Sequence, residues 1–219
     1  MTHQRLLLAL IAVSLLAGAA RAPQETAAPF NVMGSAEAPV AIVEFSDLQC
    51  SYCARYALQT FPQIKRAYID TGKVHYAAID FPLPMHPYAF PAAVAARCAG
   101  EQGKYWQYRE AFFANQSQIV SNRSFDPQAP LPHAADPLDA LASKLGLDVA
   151  SFKSCRRDVR QDAIVREDLA MARRDGITST PSFMIGRVVD GELRGETISG
   201  AKSFEELAAK IDALLREAR

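Results

Sequence analysis

The sequence predicts an α/β fold with a helical segment inserted in its middle, and three observations predict it. A strand pattern, a helical pattern and a second strand pattern follow one another between Pro39 and Pro84. Helical patterns then run almost throughout from His86 to Gly176. After Gly176 strand patterns return, followed by a last amphipathic helix.

The chain has 219 residues, 49% of them hydrophobic, enough for one well-buried core and too few to demand two domains. Basic and acidic side chains are equal at 24 each. That balance excludes a field that collects nucleic acid or anionic membrane, so no nucleic-acid partner is expected.

In chain order, "MTHQRLLLALIAVSLLAGAARA" sets Arg5 before an apolar run from Leu6 to Ala17 and then small residues, the pattern of a signal peptide. The run falls short of the about 20 residues a bilayer span needs. Residues 1–22 are therefore expected to be removed on export, after Ala19 or Ala22, leaving a soluble protein in the periplasm or outside the cell. Residues 23–35, rich in Ala, Pro and small polar residues, read as a flexible linker into a domain over 36–219. An oxidising destination lets disulfides persist.

"PVAIVEFSD", Pro39 to Asp47, is β-branched and apolar, as a buried strand should be. Tyr52, Tyr56, Leu58, Phe61, Ile64 and Tyr68 follow at helix-like spacing, and "GKVHYAAIDFPL" reads as a second strand after Gly72. This β-α-β order favours parallel pairing. In the helical stretch, Asp136 before Pro137 is a helix start, Gly146 and Gly176 are stops, and Tyr105, Trp106, Arg109, Phe112 and Phe113 share one face, read as core. Asn115 to Asp136 reads as one long loop whose role stays open. "TPSFMIGRVV", a turn at Asp190 and Gly191, and "ELRGETISG" form the late strands. In the last helix Ser203 and Glu206 have capping-box spacing.

The four cysteines carry the chemistry. Cys98 and Cys155 stand singly, and His75, His86 and His133 show no ligand spacing, so no metal or cofactor is expected. A bond between Cys50 and Cys53 closes too small a ring to stabilise much. The pair's position, where a strand feeds a helix, fits redox work, because a helix N-terminus offers free amides and a positive dipole end to a thiolate. On this reading Cys50 is the exposed nucleophile, and Cys53, one turn later and facing inward, resolves the mixed disulfide. Four cysteines allow three connectivities. Cys50 with Cys53 and Cys98 with Cys155 is preferred, the latter as a structural staple; the alternative for Cys98 and Cys155 is two buried free thiols.

With "AIVEFSDLQC", the CSYC at the helix start, the "FPLPMHPYAFPAAVAARCAGEQGKYWQY" block and "TSTPSF" in view, the chain resembles the DsbA-like thiol:disulfide oxidoreductases from about Phe30 onwards. The resemblance implies a thioredoxin fold, its halves at about 36–85 and 176–219 and its helical insertion at about 86–175. It implies a cis bond between Thr180 and Pro181, facing the cysteines and leaving backbone groups free for an extended substrate. Ser51 and Tyr52, between the cysteines, join Thr180 and Pro181 as expected substrate contacts. Glu44, six residues before Cys50, falls where thioredoxin-like proteins often keep a buried acid for proton transfer at the inner cysteine. Strongly oxidising members often carry Pro-His where this chain has Ser51-Tyr52, which implies a less oxidising couple.

The function expected is an exported oxidase of cysteine-containing exported proteins, a monomer reoxidised by a membrane-bound redox partner. A reductase or isomerase, or a non-catalytic binding or chaperone module, is the alternative.

Overall fold

The computed structural model describes residues 30–121, 136–190 and 192–218, Ser121 by its backbone alone. The expected signal peptide, the linker up to residue 29, Asn122, His133, Gly191 and most of the expected loop lie outside the described residues. No helix among the described residues is long and apolar enough to cross a membrane.

Strand β2 (Val40–Ser46) lies mid-sheet because every residue but one of VAIVEFS is buried. It pairs in parallel with β3 (Val74–Asp80), Val40 opposite Val74, and antiparallel with β4 (Ser182–Val189). With β1 (Val32–Met33) and β5 (Glu192–Ser199) the sheet order is β1-β3-β2-β4-β5. β5 is an edge strand whose side chains are mostly exposed. β1 corrects the linker reading, since two residues of 23–35 pair antiparallel with Ala77 and Tyr76 of β3. Gly34 makes this approach possible: its φ is +85°, and a Cβ there would meet the Val74 carbonyl oxygen at 2.2 Å.

From Cys50 the chain runs helically over residues 51–69. The α-segments α1 (Ser51–Arg55) and α2 (Phe61–Ile64) alternate with π-turns at Tyr56–Thr60 and Lys65–Ile69. Cys53, Tyr56, Thr60, Ile64 and Tyr68 are all buried. Their spacing of three, four, four and four exceeds the α-helical repeat, and the wider π-turns absorb the difference. Tyr52 and Leu58, which share the helix-like spacing of this segment, are exposed at 57% and 41%.

The helical insertion comprises α3 (Ala89–Gly100), α4 (Tyr105–Ala114), α5 (Gln116–Ser121), α6 (Pro137–Lys144), α7 (Val149–Cys155) and α8 (Val159–Arg174). Asp136 caps α6, accepting from the Leu138 amide at 2.9 Å. Asp148 and Asp158 cap α7 and α8 in the same way. The segment from Asn115 does not start as a loop: α5 occupies its first residues. Cys98 of α3 and Cys155 of α7 are joined by a disulfide across a sequence separation of 57. In the chain-entropy picture a loop of that size contributes about 4 kcal/mol.

The C-terminal helix α9 (Phe204–Glu217) begins with a complete capping box between Ser203 and Glu206. Leu207 and Ile211 of α9 join Tyr56 and Ile64 over one face of the sheet, against Ile42 and Phe183. Ala172 of α8 and Ile177 pack with Phe45 and Phe81 on the opposite face. Helices thus cover both faces and leave the end of β2, where the cysteines sit, at the junction of sheet and insertion.

Candidate active site

β2 ends at Ser46, and the chain turns through Asp47 to Cys50, whose amide donates to the Asp47 carbonyl at 3.1 Å. Cys50 is the N-cap of α1, with extended backbone (φ −72°, ψ 123°) and no side-chain capping bond. Both thiols of the CSYC pair are free, so this is the dithiol state.

The two sulfurs are driven in opposite directions. The Cys53 thiol hydrogen-bonds to Cys50 and lowers its pKa from the usual thiol range to about 5, against the cost of burial and with help from Thr180 and the amides of Cys53 and Tyr52. Cys53, with no exposure, is pushed well up by burial, then by its hydrogen bond to Cys50 and by the charge of Cys50. Cys50 therefore ionises while Cys53 keeps its proton and donates it, a division of labour that suits an attacking and a resolving thiol.

Cys50 is only 5% exposed, which corrects the expectation of an exposed nucleophile. The segment leading into β4 lies beside it: the Cys50 thiol donates to the Thr180 carbonyl at 3.5 Å, and the Thr180–Pro181 peptide bond is cis. Thr180 Oγ1 is buried and makes no hydrogen bond in the dithiol state, so it stands ready to donate once Cys50 ionises. Replacing Thr180 by valine is expected to raise the Cys50 pKa by less than about one unit, read from thiolate absorbance during a pH titration. An unchanged titration would remove the hydroxyl from the site. Ser51 and Tyr52 are exposed in front of the pair, with the Arg55 guanidinium 5.0 Å from the centre of the Tyr52 ring.

Glu44 has no exposure, yet it is not alone in an apolar strand. Arg109 of α4 forms an ion pair with it and also donates to Ser46 Oγ at 2.9 Å. The Tyr76 hydroxyl donates to Glu44 Oε2 at 2.5 Å, and Tyr56 lies 3.2 Å beyond, oxygen to oxygen. The negative charge of Glu44 is one of the influences holding the Cys53 proton in place.

Residues outside the motif complete the site. Asp47, His86 and Gln116 bond to the turn that carries Cys50. Arg109 had a visible signal, a lone cation inside an aromatic stripe; Asp47 had a weaker one, an acid three residues before a cysteine at a helix start. Cys98 and Cys155 lie in the insertion as a bonded pair. Among the described residues no three His, Cys, Asp or Glu side chains cluster tightly enough to hold a metal ion.

A family model described as Thioredoxin matches residues 27–213. The chain belongs to the thioredoxin family. It is a DsbA-like thioredoxin-fold protein: Wolbachia pipientis α-DsbA1 superposes with a TM-score of 0.74 at 26% identity, over 86% of this chain and 92% of that one. Bacillus subtilis BdbD shares the fold, with a TM-score of 0.65 at 21% identity over 85% and 92% of the two chains. Among sequences, an Na(+)/H(+) antiporter NhaA 3 of Salinispora tropica is 31% identical over 83% of this chain and 25% of its own. A Rickettsia conorii protein whose name, protein-disulfide oxidoreductase, is itself provisional is 26% identical over 82% of this chain and 62% of its own. This thioredoxin-family chain thus spans about a quarter of that antiporter's length and about three fifths of the Rickettsia protein's.

Proposed function

We propose that the protein is an exported thiol:disulfide oxidoreductase that acts as an oxidase. The observation that carries this reading is the opposed ionisation of the two thiols at the start of α1. In the oxidised form a substrate thiolate attacks Cys50 Sγ, the Cys50–Cys53 bond breaks, and Cys53 leaves and takes up a proton. A second substrate thiolate then attacks the substrate sulfur of the mixed disulfide and releases Cys50 as a thiolate. The substrate loses two electrons and gains a disulfide; the protein gains the two electrons and becomes the dithiol. Cys50 departs readily in the second step because a thiol of low pKa is the better leaving group.

The substrates in this reading are cysteine-containing exported proteins, held as extended segments against Thr180, Pro181, Ser51 and Tyr52. A membrane-bound redox partner reoxidises the couple. Glu44 serves proton transfer at Cys53. Residues 1–22 are a signal peptide removed on export, residues 23–29 lead into the domain, and the domain works as a monomer in the periplasm or outside the cell. The Wolbachia likeness and the provisional name of the Rickettsia protein support the reaction class.

Two measurements test the reading together. The Cys53→Ala variant is expected to trap mixed disulfides with exported proteins through Cys50. The reduction potential is expected to lie well above thioredoxin's, about −270 mV. A potential near that value, with the couple found reduced in the cell, would reverse the direction to reductase. Trapping at Cys98 or Cys155 would overturn the site.

A further inference from the structure

The turn that carries Cys50 is held mainly from outside its own segment. The Asp47 side chain has no exposed surface, and its carboxylate is engaged on both oxygens. Oδ1 accepts from the amides of Gln49 at 2.7 Å and Cys50 at 3.1 Å. Oδ2 accepts from the Leu83 amide at 2.8 Å and lies 2.8 Å from His86 Nδ1. A carboxylate has no proton to give, so Nδ1 is the donor. His86 is a quarter exposed on its side chain, and it ties the turn to the segment after β3.

This tie bears on the sulfur. The Cys50 amide is committed to Asp47, and the extended backbone that results brings the thiol to the amides of Tyr52 and Cys53, both of which favour the thiolate. The Asp47 amide in turn hydrogen-bonds to Cys53. One residue therefore reaches both halves of the couple, and its buried charge needs the bonds that surround it. The titratable groups facing this turn are Cys50 and Cys53, Glu44 of β2, and His86 and Tyr88 after β3. Tyr88 approaches through its amide, which donates to Gln49 Oε1 at 2.6 Å, and α5 contributes the neutral Gln116, which donates to the Leu48 and Cys50 carbonyls at 2.7 and 3.2 Å.

We propose that Asp47 and His86 are a positioning pair for the exchange reaction: the Nδ1 hydrogen bond of His86 holds the Asp47 carboxylate where it fixes Cys50 over the first amides of α1. The proposal rests on the oxidoreductase reading. It places part of the nucleophile's activation on a residue remote in sequence from the cysteines, in a chain that carries Ser51-Tyr52 between them.

The test is iodoacetamide alkylation of Cys50 across pH in the reduced full chain, for wild type, His86→Ala and His86→Asn. An asparagine amide stands where Nδ1 stood and donates without a ring or a charge. His86→Ala is expected to move the midpoint of the profile up by about one pH unit and to slow alkylation at pH 5 about fivefold. His86→Asn is expected to return both to within about twofold of wild type. Asp47→Ala, if it folds, should shift the midpoint at least as far as His86→Ala. A His86→Ala protein with a lower Tm but an unmoved midpoint would show a structural role and overturn the proposal, as would an asparagine variant no better than alanine. A wild-type midpoint in the ordinary thiol range would instead overturn the oxidoreductase reading itself.

Discussion

Replacing Cys50 by serine is expected to slow oxidation of a dithiol peptide by about a thousandfold or more, to the level of the buffer. A hydroxyl neither ionises near neutral pH nor forms the mixed disulfide. A protein that only bound unfolded chains would survive the change, so undiminished peptide binding with no exchange activity in the wild type would move the assignment to a binding module. In the reduced wild type, alkylation of Cys50 is expected to be half-maximal near pH 5 and flat above about pH 7, whereas an ordinary thiol keeps gaining rate to about pH 9. The same displacement makes stability depend on redox state. Cys50 is depressed in the fold relative to the unfolded chain, so its contribution is present above the unfolded thiol pKa and is lost as pH falls through about 5. Between these limits the reduced protein gains about 1.4 kcal/mol per pH unit, or about 3 kcal/mol at pH 7. The disulfide form carries no such group. Its denaturation midpoint should therefore vary less over pH 5 to 8, and parallel curves for the two forms would contradict the thiolate.

Arg109→Met is expected to destabilise the fold by about 3 to 5 kcal/mol, read as a lower denaturant midpoint at unchanged slope. Arg109 and Glu44 are 4% and 0% exposed on their side chains, so solvent screens the pair little, and removing the cation strands a buried carboxylate. Adding Glu44→Gln should recover much of the loss, because the stranded charge goes with it. A double-mutant cycle that returned simple additivity would show that the two side chains do not depend on each other.

The positions that sequence made legible are those where local chemistry decides. β-branched residues read as β2, Asp136 and Ser203 read as helix starts, and the cysteine pair read as standing where a strand feeds a helix, since each depends on a few adjacent residues. Arg109 was harder. Its spacing marks it as inward-facing, but only the crossing of α4 over β2 shows that it meets Glu44, and periodicity carries no information about which element lies opposite. His86 and Gln116 join the site across 36 and 66 residues from Cys50, from segments with no repeat to read. The π-turns were hidden for a different reason: a register change of one residue hardly alters an apolar pattern. The two residues of β1 fell below the length at which alternation can be seen.

The outer strand β5 has a bearing on the company this protein is proposed to keep. Glu192, Arg194 and Glu196 stand exposed along the sheet's open margin, and Lys210 of α9 reaches Glu196 across it. Alternating charge on a margin of this kind discourages a passing extended segment from adding itself as a sixth strand, which is how sheets seed aggregates. If its substrates are the extended cysteine-containing segments proposed above, they can then reach the sulfur of Cys50 without finding a template for misassembly at this margin.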